Sequence, residues 1–239
     1  MPGSLLNNDT STTTSTNLDH GLSNCTDSMD VHAPCHESNS SNSHNDQDGM
    51  MQVVDEAITD SQGHVGIYTG SILTSTMLPH GKGCMQYTQL DRSYDGEWSH
   101  GQRHGTGKAT FPNGDAYDGE YVYDKREGRG HYKWKDGREY RGEFLNDKRH
   151  GKGKMWWPDG AVYQGDFFDG FRDGFGLHDF ANGDRYEGGV ARNKFDGEGS
   201  FYWADGKSYH GQWKEGEMHV EKGLKKEDVD DQAAIDGQQ

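Results

Sequence analysis

Residues of the types that bind zinc occur close together near the start of the chain. Cys25, His32, Cys35 and His36 offer thiol and imidazole donors, which are common ligands of structural zinc. Their spacing is irregular, and no second pair of cysteines follows, as it does in the usual zinc motifs. The surrounding segment is dominated by serine, threonine and asparagine. The sequence therefore predicts no metal site.

Two other patterns suggest chemistry but lack the context that it needs. Gly-x-Gly pairs recur, as at Gly105 and Gly107, but no helical pattern and no Lys-Ser/Thr ending follows them, as a phosphate-binding loop requires. Histidines also recur at one phase, and we interpret them as loop residues that make hydrogen bonds. They are His80, His104, His150 and His219. No serine, histidine and aspartate set stands out, so we predict no cofactor and no enzyme activity.

Basic residues recur at a regular spacing of 23 residues. The arginines are Arg103, Arg126, Arg149 and Arg172, and the lysines beside them are Lys125, Lys148 and Lys194. Placed in successive hairpin loops, these residues would form a basic stripe along one edge of an acidic protein. Such a stripe is either a solvated edge or a docking edge for an acidic partner or for phosphoinositide headgroups.

Large apolar side chains interrupt a polar pattern in the second half of the chain. They are Trp156, Phe168, Phe175, Leu177 and Tyr202. Elsewhere the matching positions are polar, as at Lys152 and Lys154. An exposed apolar cluster commonly marks contact with another protein, so these five are the predicted partner-binding residues. The alternative is that a tail of the chain folds back over them.

The elements that position these residues follow from a period of 23 residues. Tyrosine recurs with this spacing at Tyr94, Tyr117, Tyr140, Tyr163, Tyr186 and Tyr209. Counting each tyrosine as repeat position 0, glycine stands at position 2 and a large apolar residue at position 4. Paired glycines stand at positions 11 and 13, and an aromatic residue stands at position 17. A looser copy begins near residue 68, which makes about seven copies.

The period specifies strands and turns. Positions 0, 2 and 4 alternate, so they share one face of a first strand, and positions 11, 13 and 17 share one face of a second strand. Residues such as 145–150 form a loop between the two strands, and Asn-Gly or Asp-Gly signals a tight turn into the next copy. The sequence predicts an all-β, single-layer antiparallel sheet, in which the rings lie over glycines of a neighbouring strand.

One stretch shows the complete pattern Tyr-x-Gly-x-Trp-x-x-Gly-x-x-His-Gly-x-Gly. It contains Tyr94, Gly96, Trp98, Gly105 and Gly107. This pattern resembles the MORN repeat (membrane occupation and recognition nexus), and the resemblance covers residues 68–219. It departs from the family pattern where Glu127, Asp173 and Asp196 replace the histidine.

The resemblance implies a non-enzymatic scaffold for protein–protein interaction. Similar proteins serve as radial-spoke-head components of the ciliary or flagellar axoneme, as membrane-anchored junction proteins, or as arrays attached to phosphoinositide kinases or methyltransferases. We expect the first setting, because the chain shows neither an apolar span nor room for a catalytic domain. Expected partners are cytoskeletal or axonemal proteins, with a second copy of the chain as a further candidate. The alternative is a peripheral membrane adaptor for phosphoinositides or a regulatory partner of a lipid kinase.

Composition divides the chain into three segments. Residues 1–60 carry ten acidic side chains and no lysine or arginine, and predict a disordered tail that is dispensable for folding. Within it, the short apolar stretch 50–54 could add a strand or a cap to the array. Residues 61–219 hold the array, and residues 220–239 form a second acidic tail. The formal net charge of −16 disfavours nucleic acid as a partner. No secretory signal and no transmembrane segment is expected, so we predict a cytoplasmic location, on the cytoskeleton or in a cilium.

Overall fold

The computed structural model describes residues 49–89 and 91–219, and these form one antiparallel sheet of 15 strands. The strands lie side by side in the order in which they occur along the chain. They are β1 Met50–Thr59, β2 Val65–Leu73, β3 Pro79–Tyr87, β4 Arg92–Ser99, β5 Gln102–Thr110, β6 Ala116–Val122, β7 Lys125–Lys133, β8 Glu139–Leu145, β9 Lys148–Trp156, β10 Val162–Phe168, β11 Phe171–Asp179, β12 Arg185–Ala191, β13 Lys194–Tyr202, β14 Ser208–Lys214 and β15 Glu217–His219. Among the described residues, no helix is long and apolar enough to cross a bilayer.

Each copy is a hairpin whose loop is shorter than the sequence suggests. β8 ends at Leu145 and β9 begins at Lys148, so the predicted loop 145–150 is wrong. Only Asn146 and Asp147 lie in the turn, with φ of 49° and 68°. Two consecutive residues with positive φ form the kind of turn that matches the twist of the flanking strands. The residues after Asp147 therefore belong to β9.

The predicted packing of rings on glycines is confirmed. Tyr140 is fully buried, and its ring lies over the Gly142–Gly153 pair of β8 and β9. A Cβ on Gly153 would stand 2.4 Å from the Tyr140 ring, which leaves room only for glycine there. The hydroxyl donates to the carbonyl of Glu143 at 3.0 Å, which satisfies its polar atom.

The repeated tyrosines and the residues at position 4 form a continuous seam on one face of the sheet. Tyr94 packs edge-on against Trp98 of its own copy and Tyr121 of the next, with ring centroids 4.9 and 5.3 Å apart. The same alternation continues through Phe144 and Phe167. We call this side the seam face and the opposite side the outer face. Because each ring contacts the next copy, the core is shared between neighbours.

The sheet begins earlier than the predicted array boundary at residue 61. β1 pairs with β2, and its Val53 and Ile58 are buried in the same core cluster as Tyr68 and Ile72. Residues 50–59 therefore belong to the sheet, which corrects their assignment to the tail. That residues 1–60 are dispensable for folding stays a prediction, against which the burial of Val53 and Ile58 argues for residues 50–59. Residues 1–48 and 220–239 lie outside the described residues.

Candidate protein-interaction surface

The outer face is organised by a bulge that recurs in each hairpin. In the copy at Tyr140, pairing runs from Gly142 with Gly153 to Glu143 with His150, so the register shifts between them. The Glu143 carboxylate accepts the backbone N–H of Lys152 at 3.0 Å. A β-bulge interrupts the regular ladder, and the acid at position 3 supplies an acceptor beside it. This carboxylate is part of the fold.

The same contact recurs at position 3 of the neighbouring copies. The acceptors are Glu97, Glu120 and Asp166, and the donors are the backbone N–H groups of Thr106, Arg129 and Phe175. The hydrogen bond from the Thr106 backbone, followed by that from its hydroxyl, lowers the pKa of Glu97. The period of the sequence does not indicate this bulge, because an acid at position 3 is equally compatible with a regular ladder.

Two of the five predicted partner-binding residues are strongly exposed on β10 and β11. Phe168 is 61% exposed and Phe175 is 55% exposed. Leu177 follows Phe175 at the next outer-face position and is half-buried. Phe168 lies directly opposite Phe171, a further exposed aromatic that sequence reasoning misses. Its position beside the two-residue turn is the signal that could have found it.

Trp156 extends this surface onto β9. It pairs in register with Val162 of β10, and both side chains are half-buried. We call the set on these three strands the outer patch, which comprises Trp156, Val162, Phe168, Phe171, Phe175 and Leu177.

Tyr202 lies apart from the outer patch. It is on β13, opposite Arg185, and Arg185 in turn lies opposite Asp179. These two form an ion pair of 3.6 Å between Tyr202 and the patch. Tyr202 contacts His210 instead, with ring centroids 5.4 Å apart. Phe168, Phe175 and Leu177 lie on the adjacent strands β10 and β11, while Trp156 faces the opposite end of β10 from Phe168. The role of all five residues in binding stays a prediction.

The four predicted arginines do not lie in loops, which corrects their placement. Arg126 is the second residue of β7, and its side chain lies on the seam face at 20% exposure. Its guanidinium carbon stands 5.0 Å from the centre of the Tyr132 ring. Its Nε donates to the Asp147 carboxylate at 3.1 Å, and a terminal nitrogen donates to the Asp147 carbonyl at 2.9 Å.

Equivalent contacts hold the other three arginines. Arg103 bonds Asp124, Arg149 bonds the Gly170 carbonyl, and Arg172 bonds the Asn193 carbonyl. Arg149 and Arg172 also lie over rings of the seam. An arginine at this position therefore stacks on aromatic rings and ties a hairpin turn to the preceding copy. This geometry favours a structural role, while binding of an acidic partner or lipid stays a prediction.

The lysines beside the arginines are exposed and partnered. Lys125 donates to the Asn146 side chain at 3.0 Å, and Lys194 lies 2.7 Å from Glu215. Lys148 forms an ion pair with Asp169. Surface pairs of this kind contribute little to stability. Lys148 and Lys194 have a carboxylate as counter-charge, whereas the partner of Lys125 is a neutral amide.

Buried polar residues on the seam face serve the fold. Asp115 accepts the Tyr132 hydroxyl at 2.7 Å and the Lys135 backbone N–H at 2.9 Å. His178 is stacked on Phe180, with ring centroids 4.2 Å apart, and burial, reinforced by nearby Arg172, lowers its pKa to about 4. In the part of the chain that the structure describes, no cluster of histidine, cysteine and acidic residues could hold a metal ion. Cys25, His32, Cys35 and His36 lie outside it.

Two solved structures illustrate the similarity of this fold to known ones. The TCP domain of SAS-4 (dCPAP) from Drosophila melanogaster, solved with a proline-rich motif of Ana2, is 14% identical with a TM-score of 0.37, and the match covers 77% of this chain and 100% of that one. The TCP10 domain of Danio rerio CPAP is 12% identical with a TM-score of 0.36, covering 72% of this chain and 83% of that one. Scores this low are no basis for transferring a function or a partner. No curated protein matches the sequence.

The family comparison agrees with the period of the strands. The model of the MORN repeat matches seven segments, namely 78–92, 94–116, 117–137, 140–162, 163–185, 186–208 and 209–221. They cover more than half of the chain, and six of them begin at or within a residue of the predicted start of a copy. MORN repeats typically form protein-binding scaffolds, and this chain belongs to the MORN-repeat family.

Proposed function

We propose that this chain is a non-enzymatic scaffold that binds another protein through the outer patch. The observation that carries the proposal is the exposure of Phe168, Phe171 and Phe175 on two adjacent strands of a sheet whose repeated tyrosines are buried in the seam. Exposed apolar surface of this kind is costly in water unless a partner covers it. Because the seam face packs independently of these side chains, the patch is free to serve binding.

For the cellular setting, we propose the ciliary or flagellar axoneme. Family membership supports this setting, since arrays of MORN repeats are components of radial-spoke heads. The test is the position of the tagged full chain in flagellated cells and its retention in the axoneme after detergent extraction. Release of the chain with the soluble fraction would contradict the axonemal setting and leave the scaffold proposal standing.

The outer patch is tested by the double variant Phe175→Lys, Leu177→Lys. One copy earlier, Lys152 and Lys154 occupy the same positions on β9, so the sheet accepts lysine there. We expect the variant to keep its β-type circular dichroism and thermal midpoint but to lose the protein that the wild-type chain retains in a pull-down. Unfolding of the variant would show that these residues belong to a core.

The matched control places lysines on the next copy, as Glu198→Lys, Ser200→Lys on β13. This variant should retain the partner, because its substitutions lie outside the outer patch. Equal retention by both variants and the wild-type chain would contradict the proposal.

Two further measurements on the Phe175 variant identify other partners. Loss of a dimer, measured by light scattering, would identify a second copy of the chain as the partner. Loss of binding to phosphoinositide vesicles would favour the membrane adaptor.

A further inference from the structure

Three cations border the outer patch without an acidic partner among the described residues. Arg129 lies on β7, Arg141 on β8 and Lys154 on β9. Within residues 49–89 and 91–219, none of the three forms an ion pair. Arg141 pairs in register with Lys154, so two of these positive charges lie on adjacent strands of the outer face. Like charges directly opposite one another destabilise a sheet, so their presence calls for an explanation.

The carboxylates nearest to these cations already have other partners. Glu120 accepts the backbone N–H of Arg129 at 2.8 Å, and Glu143 accepts that of Lys152 at 3.0 Å. Glu139 lies 2.8 Å from His131, and this contact occupies the carboxylate on the same strand as Arg141. Glu143 lies opposite Arg129 in register, but in the described part of the chain none of the three cations is within ion-pair distance of a carboxylate, although the full chain has a net charge of −16.

Trp156 joins the cations to the outer patch. The Arg141 guanidinium carbon lies 5.9 Å from the centre of the Trp156 ring, and the Lys154 ammonium nitrogen lies 5.3 Å from it. Across β10, Lys154 pairs in register with Gln164, and Gln164 pairs with Leu177 of β11. Cations elsewhere around the patch are paired, as Lys152 is with Asp166 at 2.6 Å. The cations that form no ion pair with a described residue thus lie on one side of the patch.

We propose that the outer face binds a peptide segment of another protein in which acidic residues adjoin an apolar cluster. Its apolar side chains cover Phe175 and Leu177, and its carboxylates pair with Arg141, Lys154 and Arg129. This inference rests on the proposed function and specifies the partner's chemistry. Strands about 4.8 Å apart place β7 and β11 roughly 19 Å from each other, a span that about six extended residues cover. Complementary charge of this kind sets the orientation and specificity of docking.

The test selects peptides of about twelve residues, long enough to exceed that span, from a random displayed library on the full chain. We expect the selected peptides to carry aspartate or glutamate next to aromatic or aliphatic residues. The variant Arg129→Gln, Arg141→Gln, Lys154→Gln should weaken the binding of a selected peptide by roughly tenfold and flatten its dependence on salt. The control Lys108→Gln, Lys125→Gln, Lys214→Gln removes the same formal charge elsewhere and should leave binding within about twofold.

The outcomes separate this inference from the proposed function. If Phe175→Lys, Leu177→Lys abolishes peptide binding and the three glutamine substitutions at Arg129, Arg141 and Lys154 do not change it, the scaffold proposal stands and the acidic partner is wrong. If neither variant changes binding, or the library yields no peptide that depends on the outer face, both are wrong. Binding to vesicles of phosphatidylcholine and phosphatidylserine that requires the cations but not Phe175 would replace the peptide with a membrane surface.

Discussion

Repeat position 15 shows how single residues tune the seam face. It is occupied by Ala109, Tyr132, Met155, His178 and Phe201 in successive copies. In two copies an arginine contacts this position: Arg149 donates to the Met155 sulfur at 3.0 Å, and Arg172 lies 3.2 Å from the His178 ring nitrogen. A neutral imidazole nitrogen can accept from the guanidinium, whereas a protonated ring cannot. His178 is therefore held neutral by its place in the seam.

The stability of the sheet should fall in mild acid because of His178. Burial, with Arg172 beside it, lowers its folded-state pKa to about 4, below the ordinary value of 6.5. The contribution is fully present above pH 6.5 and is lost as the pH falls towards 4, because the unfolded chain binds the proton first. The loss should amount to about 3 kcal/mol by pH 4. Thermal midpoints measured by circular dichroism at several pH values check this window.

The comparison variant for this prediction is His178→Met, since Met155 fills the equivalent position one copy earlier. Acidic groups with lowered pKa values, such as Asp115, lose stability in both proteins as they protonate. The difference between the two curves therefore isolates the histidine. Parallel curves between pH 6.5 and 4 would show that His178 is not the group responsible.

The strands themselves could be predicted, because the period of tyrosine and glycine fixes both the side-chain alternation and the turns between copies. The two-residue turn at Asn146 and Asp147 could not, because polar residues on either side of it read equally well as a longer loop. Because of that error, the sequence analysis placed Arg149 on a solvated edge, whereas its side chain lies over rings of the seam. Repeat positions alone predict that most of the residues of the outer patch lie on the outer face. They do not show that Tyr202 lies apart from the patch, because that depends on the strand between β11 and β13.

The contact between ring and glycine should set the stability of a hairpin. A Cβ at Gly153 would lie 2.4 Å from the Tyr140 ring, which is fully buried and cannot move aside. Gly153→Ala should therefore lower the free energy of unfolding by about 3 kcal/mol. Gly160 provides the control, since it has a φ of +94° and a Cβ there would meet no atom within 4 Å. Gly160→Ala should cost only about 1 kcal/mol, from backbone strain. Urea unfolding measures both, and equal costs would contradict the packing role.

At the scale of the whole sheet, stability passes from copy to copy through shared rings. Tyr117 contacts Tyr121 of its own copy and Phe144 of the next, and Tyr186 contacts Trp213 in the same way. A sheet built like this has two terminal strands, β1 and β15, whose outer edges no other described strand covers. Stacked repeats need terminal units that close the core, and β1 fills that role at one end. It does so without the glycine and tyrosine pattern of the repeats, so its membership in the sheet was not evident from the period.

Removing β1 should therefore destabilise the array, and two truncations separate its effect from that of the preceding segment. Deletion of residues 1–48 keeps β1, whereas deletion of residues 1–59 removes it and uncovers Tyr68 and Ile72, which are fully buried in the intact sheet. Burial of Val53 and Ile58 contributes about 2 kcal/mol each, so the longer deletion should lower the thermal midpoint by roughly 10 °C relative to the shorter one. Amide hydrogen exchange should show the loss of protection concentrated in β2 and β3, because neighbouring strands depend on one another most. Equal midpoints for the two truncations would mean that β1 adds nothing to the core, and the array would then begin at β2.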